Sequence, residues 1–122
     1  MSRAKGLQAP DWVAAYLQRW YPYARKTPNG INGQDIENTP GVSFEIKTSP
    51  VWRSSALAQA KRNSNGNLPV VIYLPPGIGE RQVGLAYMVL PVERGMRLLE
   101  EAGYAPEPGY RVPLENSREV EN

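Results

Sequence analysis

The clearest pattern in the chain is a strict alternation of apolar and polar residues that begins at Val42. Phe44 and Ile46 are apolar, whereas Glu45 and Lys47 are polar. Successive side chains of a strand point to opposite faces, so this pattern predicts a strand with one apolar face. We expect the opposite, polar face to point into a cleft.

The rest of the chain predicts helices and strands separated by turns rich in Gly and Pro. Apolar residues at three- and four-residue steps predict a first helix that opens at Pro10 and ends before Pro22. Two uninterrupted apolar runs predict buried strands, the first of them central in the sheet. In chain order we expect a helix from residue 10, strands at 23–27 and 42–48, a helix at 56–62, strands at 70–74 and 85–90, and a helix from 91 to about 102. This order predicts an α/β sandwich around a mixed central β-sheet flanked by helices.

The 122 residues fit one ordinary domain. We place it at residues 9–104, after a basic flexible arm at 1–8 and before a loose C-terminal tail at 105–122. The longest apolar runs, at 70–74 and 85–90, are far shorter than the roughly 18 residues that cross a bilayer. The N-terminus also lacks the apolar stretch of a signal peptide. We therefore expect a cytoplasmic protein with no membrane partner.

Two residue types are absent, and their absence excludes whole classes of chemistry. The sequence contains no Cys and no His. Thiolate nucleophiles, disulfides, Cys- or His-ligated zinc and His-based general catalysis are therefore excluded. Any enzymatic chemistry must use carboxylates, Lys or Arg, Tyr or Ser, and a hard metal ion bound through oxygen.

Charge is unevenly distributed along the chain. Residues 1–63 carry nine Lys or Arg against four acids, whereas residues 64–122 carry five against eight, which gives balances of +5 and −3. Such an asymmetry is compatible with a basic face for a polyanionic partner, although a solvated surface with random clustering has the same pattern.

A candidate metal site lies on the alternating strand. Glu45 and Lys47 share one face, and a hairpin of ten residues can return Asp35 beside Glu45. The two carboxylates, with the Ile46 backbone carbonyl, are oxygen ligands of the kind that Mg²⁺ or Mn²⁺ prefers. Lys47 would orient or deprotonate a water and stabilise a phosphoryl transition state. The alternative is a solvated ion pair between Glu45 and Lys47, which is common on amphipathic strands.

These motifs resemble the PD-(D/E)XK nuclease superfamily, and within it the small phage and archaeal Holliday junction resolvases. The resemblance rests on the segments 33–36 and 40–47 and on Gln59 in the following helix. It implies a restriction-endonuclease-like αβββαβ core and a metal site at Asp35, Glu45 and Lys47. It also implies that Gln59 is a polar residue behind the site, whereas an ordinary exposed helix position is the alternative.

The sequence departs from the family pattern at two places. Gln34 stands where the family name expects Pro. Many members also carry a first-helix Glu that completes the metal shell, and this helix offers only Asp11, near its start. Without such an acid, metal binding would depend more on a substrate phosphate.

Basic residues near this strand face are candidate DNA contacts, of the sequence-independent phosphate-binding kind. Trp52 can stack on an unpaired base or pack against the start of the second helix. The candidate DNA-binding residues are Arg25, Lys26, Arg53, Lys61 and Arg62.

The sequence thus predicts a Mg²⁺- or Mn²⁺-dependent DNA endonuclease that is structure-selective and acts in recombination, repair or phage DNA processing. A junction needs two cuts and one chain supplies one site, so we expect a homodimer. Two alternatives stay open: a nuclease of the same fold that cuts flaps or duplex, and a non-catalytic DNA-binding or assembly module.

Overall fold

The computed structural model describes residues 7–28, 33–106 and 109. Helices and strands alternate along this part of the chain, which confirms the mixed α/β class. The chain divides into two units, Met1–Pro91 and Val92–Asn122, and the predicted domain at 9–104 spans this division. In chain order the elements are α1 (Ala9–Leu17), β1 (Arg25–Lys26), β2 (Ile36–Glu37), β3 (Val42–Lys47), α2 (Ser55–Arg62), β4 (Leu68–Tyr73), a 3₁₀ segment (Glu80–Leu85), β5 (Tyr87–Val89) and α3 (Val92–Glu101).

The main sheet has three strands in the order β3-β4-β5. β3 runs parallel to β4, with Glu45 opposite Val71 and Lys47 opposite Tyr73. β5 runs antiparallel to β4, with Tyr87 opposite Tyr73. The sheet is therefore mixed, and the apolar run expected to be its central strand is its central strand.

The two faces of this sheet are covered by different helices. α1 buries Val13 and Leu17 in a cluster that includes Phe44 and Ile72. On the other face, α2 packs through small side chains, Ala56 and Ala60, which form a second cluster with Val71. Small residues at this contact allow the helix backbone to lie close to the strands.

The close approach of α2 corrects the expectation of a polar face open to a cleft. Ser43 and Glu45 are both buried, on the face that the alternation marks as polar, while Lys47 is half-buried. The alternation places these side chains on the correct face, but it does not reveal that a helix covers them.

The expected buried strand at 85–90 is also wrong. The observed β5 has only three residues, and Leu85 belongs to the preceding 3₁₀ segment. Leu85, Tyr87 and Met88 are 68%, 58% and 59% exposed. An apolar run alone does not distinguish a central strand from an edge strand that nothing in the described chain covers.

β1 and β2 form a separate antiparallel pair in which Lys26 lies opposite Ile36. The expected strand at 23–27 is thus observed, shortened to two residues. Residues 1–6 of the predicted arm, and residues 107, 108 and 110–122 of the predicted tail, lie outside the described residues.

In the second unit, α3 confirms the last predicted helix. Glu93 and Arg97 form an ion pair at 3.9 Å, four residues apart on the helix. Gly103, with φ +88°, ends the helix, and the N–H of Tyr104 donates to the Leu99 carbonyl at 2.8 Å. Across the described ranges, every helix is too short or too polar to span a bilayer.

Candidate functional site

Asp35 lies directly beside the centre of β3. Its backbone N–H donates to the Phe44 carbonyl at 2.9 Å, and its carboxylate oxygen Oδ2 accepts the N–H of Ile46 at 2.8 Å. The N–H and C=O of one strand residue point to the same side of the strand. The Ile46 carbonyl therefore points toward the Asp35 side of β3, away from β4.

The turn between β2 and β3 makes this return possible. Asn38 (φ +68°) and Gly41 (φ +87°) both adopt left-handed backbone conformations. Asn and Gly tolerate this region better than other residues, so the tight turn fits the sequence Asn38-Thr39-Pro40-Gly41. The Thr39 hydroxyl further braces the turn by donating to the Val42 carbonyl at 2.9 Å.

Glu45 is the most unusual residue of the site. Its side chain is 2% exposed, and its Oε1 atom is fully buried with no hydrogen-bond partner among the described residues. Burial raises the pKa of Glu45 above its ordinary value, and the negative charge of Asp35 raises it further. The nearby Asn63 side chain and the Lys47 charge lower the pKa of Glu45 by smaller amounts. The free oxygen thus favours a proton or a cation.

Lys47 is held in place by α2. Its Nζ atom donates to Oε1 of Gln59 at 2.9 Å. Gln59 is therefore not an ordinary exposed helix position, because it contacts the lysine of the candidate site directly. Lys47 also does not pair with Glu45, so the geometry differs from a simple ion pair on a solvated strand.

Asn63 is a site residue that the sequence analysis missed. It caps the C-terminus of α2, its side chain interacts with Glu45, and its carbonyl accepts the Ser43 hydroxyl at 3.4 Å. Four helix residues rise about 6 Å and two strand residues about 6.6 Å. Gln59 and Asn63 therefore match the spacing of Lys47 and Glu45. The four-residue interval between Gln59 and Asn63 is the feature of the sequence that could have identified Asn63 as a residue of the site.

Asp11, the first-helix acid that the sequence offers as a further metal ligand, contacts the backbone of its own helix. Its Oδ2 atom accepts the backbone N–H of Gln8 at 2.9 Å, so this carboxylate caps the N-terminus of α1. In the described part of the chain, no group of three or more His, Cys, Asp or Glu side chains is placed to hold a metal ion. The acidic donors of the site are Asp35 and Glu45.

The candidate DNA-binding residues are not all equally placed. The Arg25 guanidinium forms an ion pair with Glu37, and Lys26 is half-buried on β1. Arg53 is exposed and lines the same cavity as Lys47. Lys61 and Arg62 are both exposed in the last turn of α2.

Helical periodicity separates these last two residues. Arg62 is three positions after Gln59, so the two side chains share one side of α2. Lys61 is two positions after Gln59, about 200° around the helix, so it projects from the side of α2 opposite to Gln59. Arg62 is thus nearer than Lys61 to the side of α2 that bears the site.

Two cavities lie on opposite faces of the sheet. A cavity of about 360 Å³ adjoins Lys47, and Trp52 and Arg53 line it. A larger cavity of about 520 Å³ adjoins α1 and Phe44, and among the described residues no Asp, Glu, Lys or Arg lines it. Of these two cavities, only the smaller is lined by charged side chains, those of Lys47 and Arg53.

Comparisons with protein-family models, with curated proteins and with solved structures found no match to this chain.

Proposed function

We propose that this protein is a metal-dependent DNA endonuclease with a restriction-endonuclease-like fold of the PD-(D/E)XK type. The observation that carries the proposal is the buried, unpartnered Oε1 of Glu45, close to Asp35 and on the strand face that bears Lys47. A buried carboxylate without a partner is costly for stability, so a function is the more economical explanation for it. The element order α1-β1-β2-β3-α2-β4 supports the proposal, because it matches the αβββαβ order that the resemblance implies.

The donor set fits Mg²⁺ or Mn²⁺. Asp35, Glu45 and the Ile46 carbonyl would hold the ion, and all three donors are oxygens, as these hard cations prefer. The buried Oε1 of Glu45 has no hydrogen-bond partner among the described residues, and a bound cation would favour the ionised carboxylate. When bound, such an ion activates water and neutralises charge that develops on a phosphate.

Lys47 would act on the water and on the phosphate. An ammonium group has three N–H donors, and Gln59 accepts one of them. The other two can donate to the attacking water and to a phosphate oxygen. Gln59 fixes the direction of the ammonium group, and a fixed charge stabilises a transition state better than a mobile one. Lys47 is therefore proposed as a catalytic residue and Gln59 as its positioning residue.

DNA would bind across the basic residues that border the site. Arg53 and Arg62 are exposed near Lys47 and Gln59, and both can contact phosphates without reading sequence. We propose branched DNA as the substrate, in recombination, repair or phage DNA processing in the cytoplasm. Two opposed cuts require two sites, which a homodimer supplies.

One observation favours a second candidate, a non-catalytic DNA-binding or assembly module of the same fold. The described site has two acids, and Asp11 is engaged in the cap of its own helix. A metal bound by so few protein ligands depends on additional oxygens from substrate and water. If the chain cleaves no DNA, this candidate replaces the nuclease.

The testing experiment is cleavage of a labelled four-way junction, a flap and a plain duplex, each with Mg²⁺, with Mn²⁺ and with a chelator. We expect metal-dependent cleavage of the junction, and its loss in Asp35→Asn and in Glu45→Ala. Calorimetry should show weaker divalent-ion binding in both variants, while thermal melts show that both still fold. Normal cleavage by either variant would overturn the site assignment.

A further inference from the structure

The cavity beside Lys47 has the chemistry of an anion site. Its volume is about 360 Å³, within the range of small-molecule binding sites. Lys47 and Arg53 contribute two positive charges to its lining, and Thr48, Ser49 and Ser55 contribute hydroxyl groups. Among the described residues, no acid lines this cavity and Arg53 has no ion-pair partner.

The loop that forms this cavity is braced by the central strand. The Tyr73 hydroxyl donates to the Ser49 carbonyl at 2.9 Å, and the Ser49 hydroxyl donates to the Val51 carbonyl at 3.2 Å. The Tyr73 ring also packs edge-on against Trp52, with ring centroids 5.6 Å apart and an interplanar angle of 73°. Because Tyr73 lies opposite Lys47 in the sheet register, these contacts fix Trp52 relative to Lys47.

Trp52 retains surface for a ligand. It is 36% exposed even though one part of its ring system contacts Tyr73. A single aromatic side chain next to two cations and several hydroxyls matches the parts of one nucleotide: a base to stack and a phosphate to bind. An aliphatic lining would not provide the base contact.

We propose that this cavity binds one unpaired nucleotide of a DNA strand beside the cleaved phosphate, with its base on Trp52 and its phosphate on Arg53. In a duplex both faces of a base are covered by its stacked neighbours, so Trp52 can stack only on a base that has left the stack. The cavity would therefore select DNA with unpaired or unstacked nucleotides at the site. The inference rests on the proposed function, since it supplies that nuclease with its structure selectivity.

Binding without cleavage tests the cavity. Fluorescence anisotropy in a chelator compares a labelled duplex with the same duplex carrying a central bulge of unpaired nucleotides. We expect the wild type to prefer the bulged DNA, and Trp52→Ala to weaken bulge binding on the order of tenfold more than duplex binding. Trp52→Phe should restore most of the preference. Arg53→Ala, an exposed and structurally mild change, should also weaken bulge binding.

Trp20→Ala is the matched control, because Trp20 is also exposed (59%) but lines other cavities. It should bind both DNAs as the wild type does, and melts should show that all four variants fold. Equal loss of both DNAs in Trp52→Ala, or no bulge preference in the wild type, would overturn the inference. A Mn²⁺ cleavage assay separates the two proposals. Trp52-dependent bulge binding without any cleavage would contradict the proposed nuclease activity and support nucleotide binding in the cavity. Cleavage whose selectivity does not depend on Trp52 would contradict nucleotide binding in the cavity and support the nuclease activity.

Discussion

At the scale of single residues, Glu45 is where stability and function conflict. Its carboxyl group is buried beneath α2, and neither burial nor the nearby Asp35 favours its ionised form. A neutral side chain would pack there at lower cost. A bound divalent cation would reverse this balance, because it interacts favourably with the ionised carboxylate.

The raised pKa of Glu45 determines how the stability of the folded protein changes with pH. The pKa of Glu45 is raised above 4.5 in the folded protein. The carboxyl group therefore contributes stability below about pH 4.5, and this contribution is lost as the pH rises through the raised pKa. At neutral pH without metal, this carboxyl group therefore makes the folded state less stable than it is below pH 4.5.

Glu45→Gln should consequently stabilise the metal-free protein at neutral pH. The gain comes from removing the cost of ionising a buried carboxyl group, because the amide of Gln stays neutral as the pH rises. The difference should disappear near pH 4, and Mn²⁺ should raise the melting temperature of the wild type but not of the variant. Thermal melts across pH, with and without Mn²⁺, measure this. A variant less stable than the wild type at neutral pH would contradict the account.

At the scale of elements, the sequence predicted the strand of the site better than its environment. Alternation identified β3 and placed Glu45 and Lys47 on one face, because a period of two is a local property of the chain. Burial of that face depends on α2, whose Ala56 and Ala60 contact the sheet only after the tertiary fold forms. The contact of Gln59 with Lys47 was suggested only by the family resemblance.

The contribution of Tyr73 could not have been predicted from local pattern. Its position opposite Lys47 depends on the register of β3 and β4, which are 20 or more residues apart in the chain. Its brace on the Ser49 carbonyl depends on that register. Local pattern also does not show which elements cover a strand. The apolar run at 85–90 therefore predicts a buried strand, whereas Leu85, Tyr87 and Met88 are exposed in the described fold.

α2 permits a direct comparison of two neighbouring basic residues. Arg62 shares a side of the helix with Gln59, whereas Lys61 lies on the side of the helix opposite to Gln59. Arg62→Ala should weaken binding similarly for different DNA sequences and reduce the slope of log K against log salt by about one. Lys61→Ala should have the smaller effect on this slope. Titrations at several salt concentrations measure it, and an unchanged slope in both variants would place DNA elsewhere.

At the scale of the whole molecule, the proposal requires two chains for one substrate. Net charge is only +2, so long-range attraction to DNA must come from the uneven placement of charge rather than from its total. A homodimer would double the basic face and would supply the second site that opposed cuts require.

Mixed dimers test this requirement. Wild-type and Lys47→Ala chains, co-expressed with different tags and purified through both, should cut one strand of a four-way junction and leave the other intact. Nicked junction should therefore accumulate, whereas wild-type dimers yield paired cuts. Native and denaturing gels of the same reaction distinguish the products. Paired cuts by the mixed species, or failure to recover any doubly tagged protein, would contradict a two-site dimer.

Single-turnover cleavage of a four-way junction in Mn²⁺ by the wild type and by Lys47→Ala tests directly whether this site is a nuclease centre. We expect cleavage by the wild type and a loss on the order of 10² or more in the variant, the scale for removing a positioned catalytic group. Lys47→Arg should rescue poorly, because it lacks the compact ammonium group that Gln59 holds. Divalent-ion binding and folding should persist in both variants. Full activity in Lys47→Ala would contradict the assignment of this site as a nuclease centre.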